Sequence, residues 1–146
     1  MGKHILVVGG VGMEILDRFR EWWDSLPANR GEIRYSVGFD SSGVAQTVSS
    51  ATSVDEVRLE WSQITQVCAY KRDCVHLDQI RVAFLSEDLG VGLEVAEEDA
   101  GYEELIDALP LRVPGCLGRD EWFERVAFPA FAQNLTVLYR RPGAAR

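Results

Sequence analysis

"EIRYSVGFDSSGVAQTVSS", residues 32–50, is where the periodicity of the chain becomes two. Ile33, Tyr35, Val37 and Phe39 occupy alternate positions, as do Val44, Gln46 and Val48, and the "DSSG" between the runs is turn chemistry. Successive side chains of a strand point to opposite faces, so each run is expected to lay one apolar face on a core and the two to form a hairpin. The pattern continues downstream. Residues 56–61 put Val57, Leu59 and Trp61 on one face, 64–70 is another apolar run, 79–86 alternates Ile80, Val82 and Phe84, and 91–97 follows a polar turn. Six strands with no helix between them predict antiparallel neighbours, because a parallel crossover needs a dozen or more residues.

The flanks change period. Residues 13–26 place Ile15, Leu16, Phe19, Trp22, Trp23 and Leu26 at helical intervals, with Pro27 as the stop, and predict an N-terminal helix. After the strands, "GYEELIDALP" carries Tyr102, Leu105, Ile106 and Leu109 on one face and ends at Pro110. "RDEWFERVAF" offers Asp120 as N-cap before Trp122, Phe123 and Val126, and "NLTVLYRR" reads as a seventh strand. Asn134 is expected to bond local backbone at the start of that strand. The fold class expected is α+β: a strongly bent antiparallel sheet, covered by the N-terminal helix and accompanied by two short C-terminal helices. At 146 residues the chain is long enough for one domain, with residues 1–30 as an N-terminal strand/helix segment and 31–141 as the sheet core.

The series Trp61, Ile64, Val67, Ala69, Lys71, Arg72, Asp73, Asp78 and Ile80, followed by "LPLRVPG", Trp122 and "VAFPAFAQNLTVLYRR", resembles a group of small uncharacterised bacterial proteins with a pleckstrin-homology-like, strand-rich core. The resemblance spans roughly residues 32–141 and is most specific in "AYKRD" and "FPAFAQNLTVLY". It implies a pleckstrin-like barrel and no particular activity. The chain departs from the usual pattern by ending in a strand instead of a capping helix and by opening with a helix.

Charge narrows the function classes. Fifteen Lys and Arg against 23 Asp and Glu give a formal net charge of −8. Such a surface repels phosphate backbones and argues against nucleic acid, whereas a basic protein partner would be attracted and steered to it. The acidic side chains concentrate in "EVAEEDAGYEELID", residues 94–107, which include Glu97, Glu98 and Asp99. Three cysteines, at 68, 74 and 116, with no CxxC spacing suit a reducing cytoplasm. "KHILVVGGVG" looks like a signal core, but "MEILDRFREWW" follows where a small-residue cleavage site belongs, and the run is too short to cross a membrane. Gly9, Gly10 and Gly12 give GGxG, neither a dinucleotide fingerprint nor a Walker motif.

The densest polar cluster is "AYKRDCVHLDQI", residues 69–80. Cys68, Cys74 and His76 fall together with Cys116 far away, so four-ligand zinc spacing is absent and no metal is expected. Cys74, His76 and Asp78 at alternate strand positions stand about 7 Å apart, too far for a catalytic relay. Lys71 and Arg72 are instead expected to pair with Asp73 and Asp78 across an exposed hairpin, fixing its register and leaving a charged rim. Trp22 and Trp23, adjacent on one helix, cannot both turn inward easily, so one is expected to be exposed. The function expected is a non-enzymatic protein-binding module without cofactor. It would bind a basic partner through Trp22, Trp23, Lys71, Arg72, Asp73, Asp78, Glu97, Glu98 and Asp99. An immunity protein that neutralises a toxin is the sharper form of this reading. The alternative is a small-ligand binder or enzyme using the Lys71 to Asp78 rim.

Overall fold

Alternation builds strands where the sequence predicts them, but the strands sort into two sheets. The computed structural model describes residues 6–7, 33–73, 78–130 and 132–143. The strands are β1 (Leu6–Val7), β2 (Arg34–Phe39), β3 (Gly43–Ser49), β4 (Val54–Glu60), β5 (Gln66–Asp73), β6 (Asp78–Ser86), β7 (Val91–Ala96) and β8 (Thr136–Arg140). Helices α1 (Tyr102–Arg112) and α2 (Arg119–Ala127) lie between β7 and β8, and a 3-10 turn, Trp61–Gln63, follows β4. One antiparallel sheet is ordered β2-β3-β4 and the other β1-β7-β6-β5-β8. Among the described residues the architecture is therefore α+β, with two sheets and two helices.

This corrects the single bent sheet, and the described strands do not close into a barrel. β4 and β5 are consecutive yet do not pair. β4 runs into the Trp61–Gln63 turn, and the edge of β5 that it would have joined is taken by β8, which aligns Gln66–Ala69 with Thr136–Arg140. The expected N-terminal helix, with Trp22 and Trp23, lies outside the described residues.

β6 also differs from simple alternation. Ile80, Val82 and Phe84 face the main core as expected, but Arg81, Ala83 and Leu85 on the opposite face are buried too. A strand covered on both faces reads as a continuous apolar run, and "VAFL" is one. The main core joins Val37, Val44, Val57 and Leu59 of the small sheet to Val67, Phe84, Leu93 and Val95 of the large one. It is completed by Leu105, Ile106 and Leu109 of α1 and Trp122 and Val126 of α2.

Two polar contacts fasten the sheets. Gln46 Nε2 donates to the Glu94 carbonyl at 2.5 Å, and the Val37 amide donates to the Ala100 carbonyl at 2.8 Å. The second contact brings β2 so close to the start of α1 that a Cβ on Gly101 would lie 1.9 Å from the Val37 carbonyl oxygen. Gly101 also has φ +91°, a region that favours glycine.

Local signals were refined in three places. Pro110 lies in the last turn of α1, which continues to Arg112. A proline there forfeits only one late hydrogen bond. The N-cap of α2 is Gly118 and not Asp120, with the Glu121 carboxylate accepting the Gly118 N–H at 2.9 Å. Trp61 leaves the strand face for the 3-10 turn and is half-buried. It stands edge-on to Phe39 with 6.4 Å between centroids, and its Nε1 donates to the Asp40 carbonyl at 2.9 Å. Among the described residues no helix is long and apolar enough to cross a membrane.

Candidate functional site

Strand parity places Lys71 on the same face of β5 as Val67 and Ala69, which point into the core. The consequence is a buried ammonium, its side chain 3% exposed. Lys71 Nζ lies 3.2 Å from Asp78 Oδ2 and donates to the carbonyls of Ala127 at 2.8 Å and Pro129 at 2.5 Å. An ammonium has three N–H groups, and three acceptors surround this one. One of them is the carbonyl of Ala127, the last residue of α2, where unsatisfied carbonyls concentrate negative partial charge, and another is that of Pro129 just beyond the helix. Burying a charge is tolerated when it is paired and hydrogen-bonded, and both conditions are met.

Asn134 completes this brace. Its backbone, at φ 52°, aims Nδ2 at the carbonyls of Val126 (3.1 Å) and Pro129 (3.0 Å). The Lys71 amide donates to the Gln133 carbonyl at 2.8 Å. Thus the chain leaving α2 is tied to β5 by main chain and side chain alike. The hairpin pairing expected between Lys71 and Asp78 is present, but as an inward-facing contact instead of a solvent rim. Arg72 is half-buried, and Asp73 ends β5 opposite Asp78. Cys74 and His76 lie outside the described residues.

The acidic segment 94–107 divides into structural and exposed members. Glu94 is buried and pairs with Arg81 at 2.7 Å. Glu97 Oε1 accepts the Ile80 N–H at 3.1 Å, Asp99 Oδ2 accepts the Ala96 N–H at 2.9 Å, and Glu98 accepts from the Gln79 amide. Burial pushes the carboxyl groups of Glu97 and Asp99 above their ordinary range; the amide each accepts opposes this, and neighbouring Glu98 reinforces it. Of Glu97, Glu98 and Asp99, all three expected as partner contacts, only Glu98 is exposed; Glu97 ties the segment to β6 and Asp99 ties it to the end of β7.

The exposed carboxylates lie on the helices. α1 presents Glu103, Glu104 and Asp107, and α2 presents Asp120, Glu121 and Glu124. Arg119 of α2 reaches Glu103 at 2.6 Å and Asp107 at 3.2 Å, so the two helices present one neighbouring surface. Large apolar side chains stand among these charges: Leu111, Phe123 and Phe128 are exposed. Phe123 is exposed although Trp122 beside it is buried, because residues adjacent on a helix point about 100° apart and the buried stripe of α2 runs through Trp122 and Val126.

The sequence reading missed the α2 surface. Glu121, Glu124 and Phe128 are spaced i, i+3 and i+7, a stripe opposite the buried one, and that spacing was the available signal. Among the described residues no three His, Cys, Asp or Glu side chains gather as a metal site. No protein-family model, curated protein or solved structure matches the chain.

Proposed function

We propose that the chain is a non-enzymatic protein-binding module whose α1–α2 surface engages a basic protein. The carrying observation is six exposed carboxylates on two helices bridged by Arg119, with exposed phenylalanines among them. Acidic surfaces of this kind attract cationic partners and raise association rates, while exposed aromatics supply contact area on desolvation. Neutralisation of a basic toxin, the role of an immunity protein, is the sharper form of the proposal. The likeness to pleckstrin-homology-like bacterial proteins belongs to the same reading, in which an antiparallel scaffold carries its binding surface on the connecting segments. Trp22 and Trp23 are proposed contacts on sequence grounds.

The rival reading, an enzyme or small-ligand binder at the Lys71 to Asp78 rim, is weakened because Asp78 and two carbonyls already engage the lysine's three donors. The test is affinity capture from the source cell at about 0.1 M and about 1 M salt, between which the Debye length falls from about 10 Å to about 3 Å. A basic protein is expected at low salt, with association slowed by combined Glu103→Gln, Glu104→Gln and Asp107→Asn. Absence of any protein partner, together with a co-purifying metabolite that raises the melting temperature, would overturn the proposal.

A further inference from the structure

Phe128 is the side chain that the brace beneath α2 serves. The residue is 68% exposed, yet the backbone before and after it is held by hydrogen bonds. The Phe128 amide donates to the Glu124 carbonyl at 3.1 Å. The carbonyls of Val126, Ala127 and Pro129 accept from Asn134 or Lys71, and Pro129 accepts from both. A buried ammonium and a residue with positive φ are thus committed to fixing the main chain under an exposed aromatic side chain that stands outside the main core.

Resting on the protein-binding reading above, we propose that Phe128 is the preorganised anchor of the interface. It would insert into an apolar pocket on a partner protein whose rim carries lysine or arginine. Charge complementarity selects that partner. The exposed stripe that ends at Phe128 carries Asp120, Glu121 and Glu124 against the single exposed cation Arg125, and Phe123 lies beside it. Aromatic residues held rigidly and surrounded by polar neighbours dominate interface energetics, because little conformational entropy remains to be lost when they are buried. Lys71 and Asn134 are positioning residues that touch the main chain beneath the anchor and not the partner.

The experiment places a photo-crosslinking benzoylphenylalanine at Phe128 of the full chain and, separately, at Glu104 on α1, in the source cell. Adducts are identified by mass spectrometry, and the captured protein is then purified and titrated. The expected result is an adduct from position 128 with a basic protein that binds the unmodified chain and loses at least 10-fold in affinity to Phe128→Ala, chiefly through faster dissociation. Asn134→Gly keeps the positive φ accessible and removes both side-chain donors; it should weaken binding several-fold. That loss should vanish when Phe128 is already alanine, a non-additivity that a purely structural role would not produce.

An adduct from position 104 alone, or unchanged binding by Phe128→Ala, overturns the anchor while leaving the acidic-face reading standing. Additive effects of Asn134→Gly and Phe128→Ala overturn the positioning role. No adduct from either position overturns both the anchor and the protein-binding reading.

Discussion

Replacing Gly101 by alanine tests how the small sheet is fastened to the rest of the protein, and Gly115 supplies the control. Both glycines have φ near +90°, at +91° and +95°. The conformational penalty of a side chain in that region, about 1–2 kcal/mol, is therefore common to both substitutions. They differ in what the new methyl group meets. At Gly115 no heavy atom lies within 4 Å, whereas at Gly101 the Val37 carbonyl oxygen would be 1.9 Å away. Real Cβ atoms do not approach closer than 3.0 Å, so β2 and the start of α1 must separate by about 1 Å. That movement breaks the 2.8 Å bond from the Val37 amide to the Ala100 carbonyl. It costs about 1 kcal/mol net, rising to about 3 if the groups stay buried without partners. Loosened packing around Val37 adds to this. Gly101→Ala should lose about 3–5 kcal/mol and Gly115→Ala about 1–2. Urea midpoints at constant m-value measure both. A difference below about 0.5 kcal/mol would show that the two sheets are not clasped as described.

Two further outcomes follow from burial. Trp122 is fully buried, so Trp122→Ala should cost about 3–5 kcal/mol. Half-buried Trp61 should lose about 1 kcal/mol as Trp61→Phe, which removes the indole bond to Asp40 and trims the ring while keeping an aromatic beside Phe39; equal losses at both positions on alanine substitution would place Trp61 in the core after all. Burial pushes the thiols of Cys68 and Cys116 up to about 11 and about 12, so in a Cys74→Ser chain an aromatic disulfide reagent at pH 8 should label neither until denaturant is added. Prompt labelling of the native protein would contradict their placement.

Strand identity was legible because a period of two needs only neighbouring residues to be seen. Strand partnership was not, since β4 and β8 both present apolar alternation and the competition for the edge of β5 is decided across the length of the chain. The burial of Lys71 was half-written in the sequence: parity with Val67 and Ala69 assigned its face, but a lysine ordinarily seeks water. Only the distant carbonyls of Ala127 and Pro129, with Asp78, make the inward position tolerable. The acidic segment misled for a related reason. Composition counts Glu94, Glu97 and Asp99 with Glu103 and Glu104, whereas burial and backbone bonding withdraw the first three from the surface. Phe128 was passed over because it falls just beyond a helix whose buried stripe had already claimed attention.

The place of β8 has a consequence for how the chain acquires its shape. Residues 136–140 are among the last to be synthesised of those described, yet they seat against residues 66–69 and receive the Leu117 amide on the Leu138 carbonyl. Pairings of such sequence separation demand loop closure before they return any stabilisation, so they slow folding. Until β8 arrives, β5 presents a bare line of amides and carbonyls to whatever strand is nearest, the situation in which chains pair with one another. Any product ending before residue 136 is exposed to aggregation along that line, and β8 acts as a gatekeeper against it.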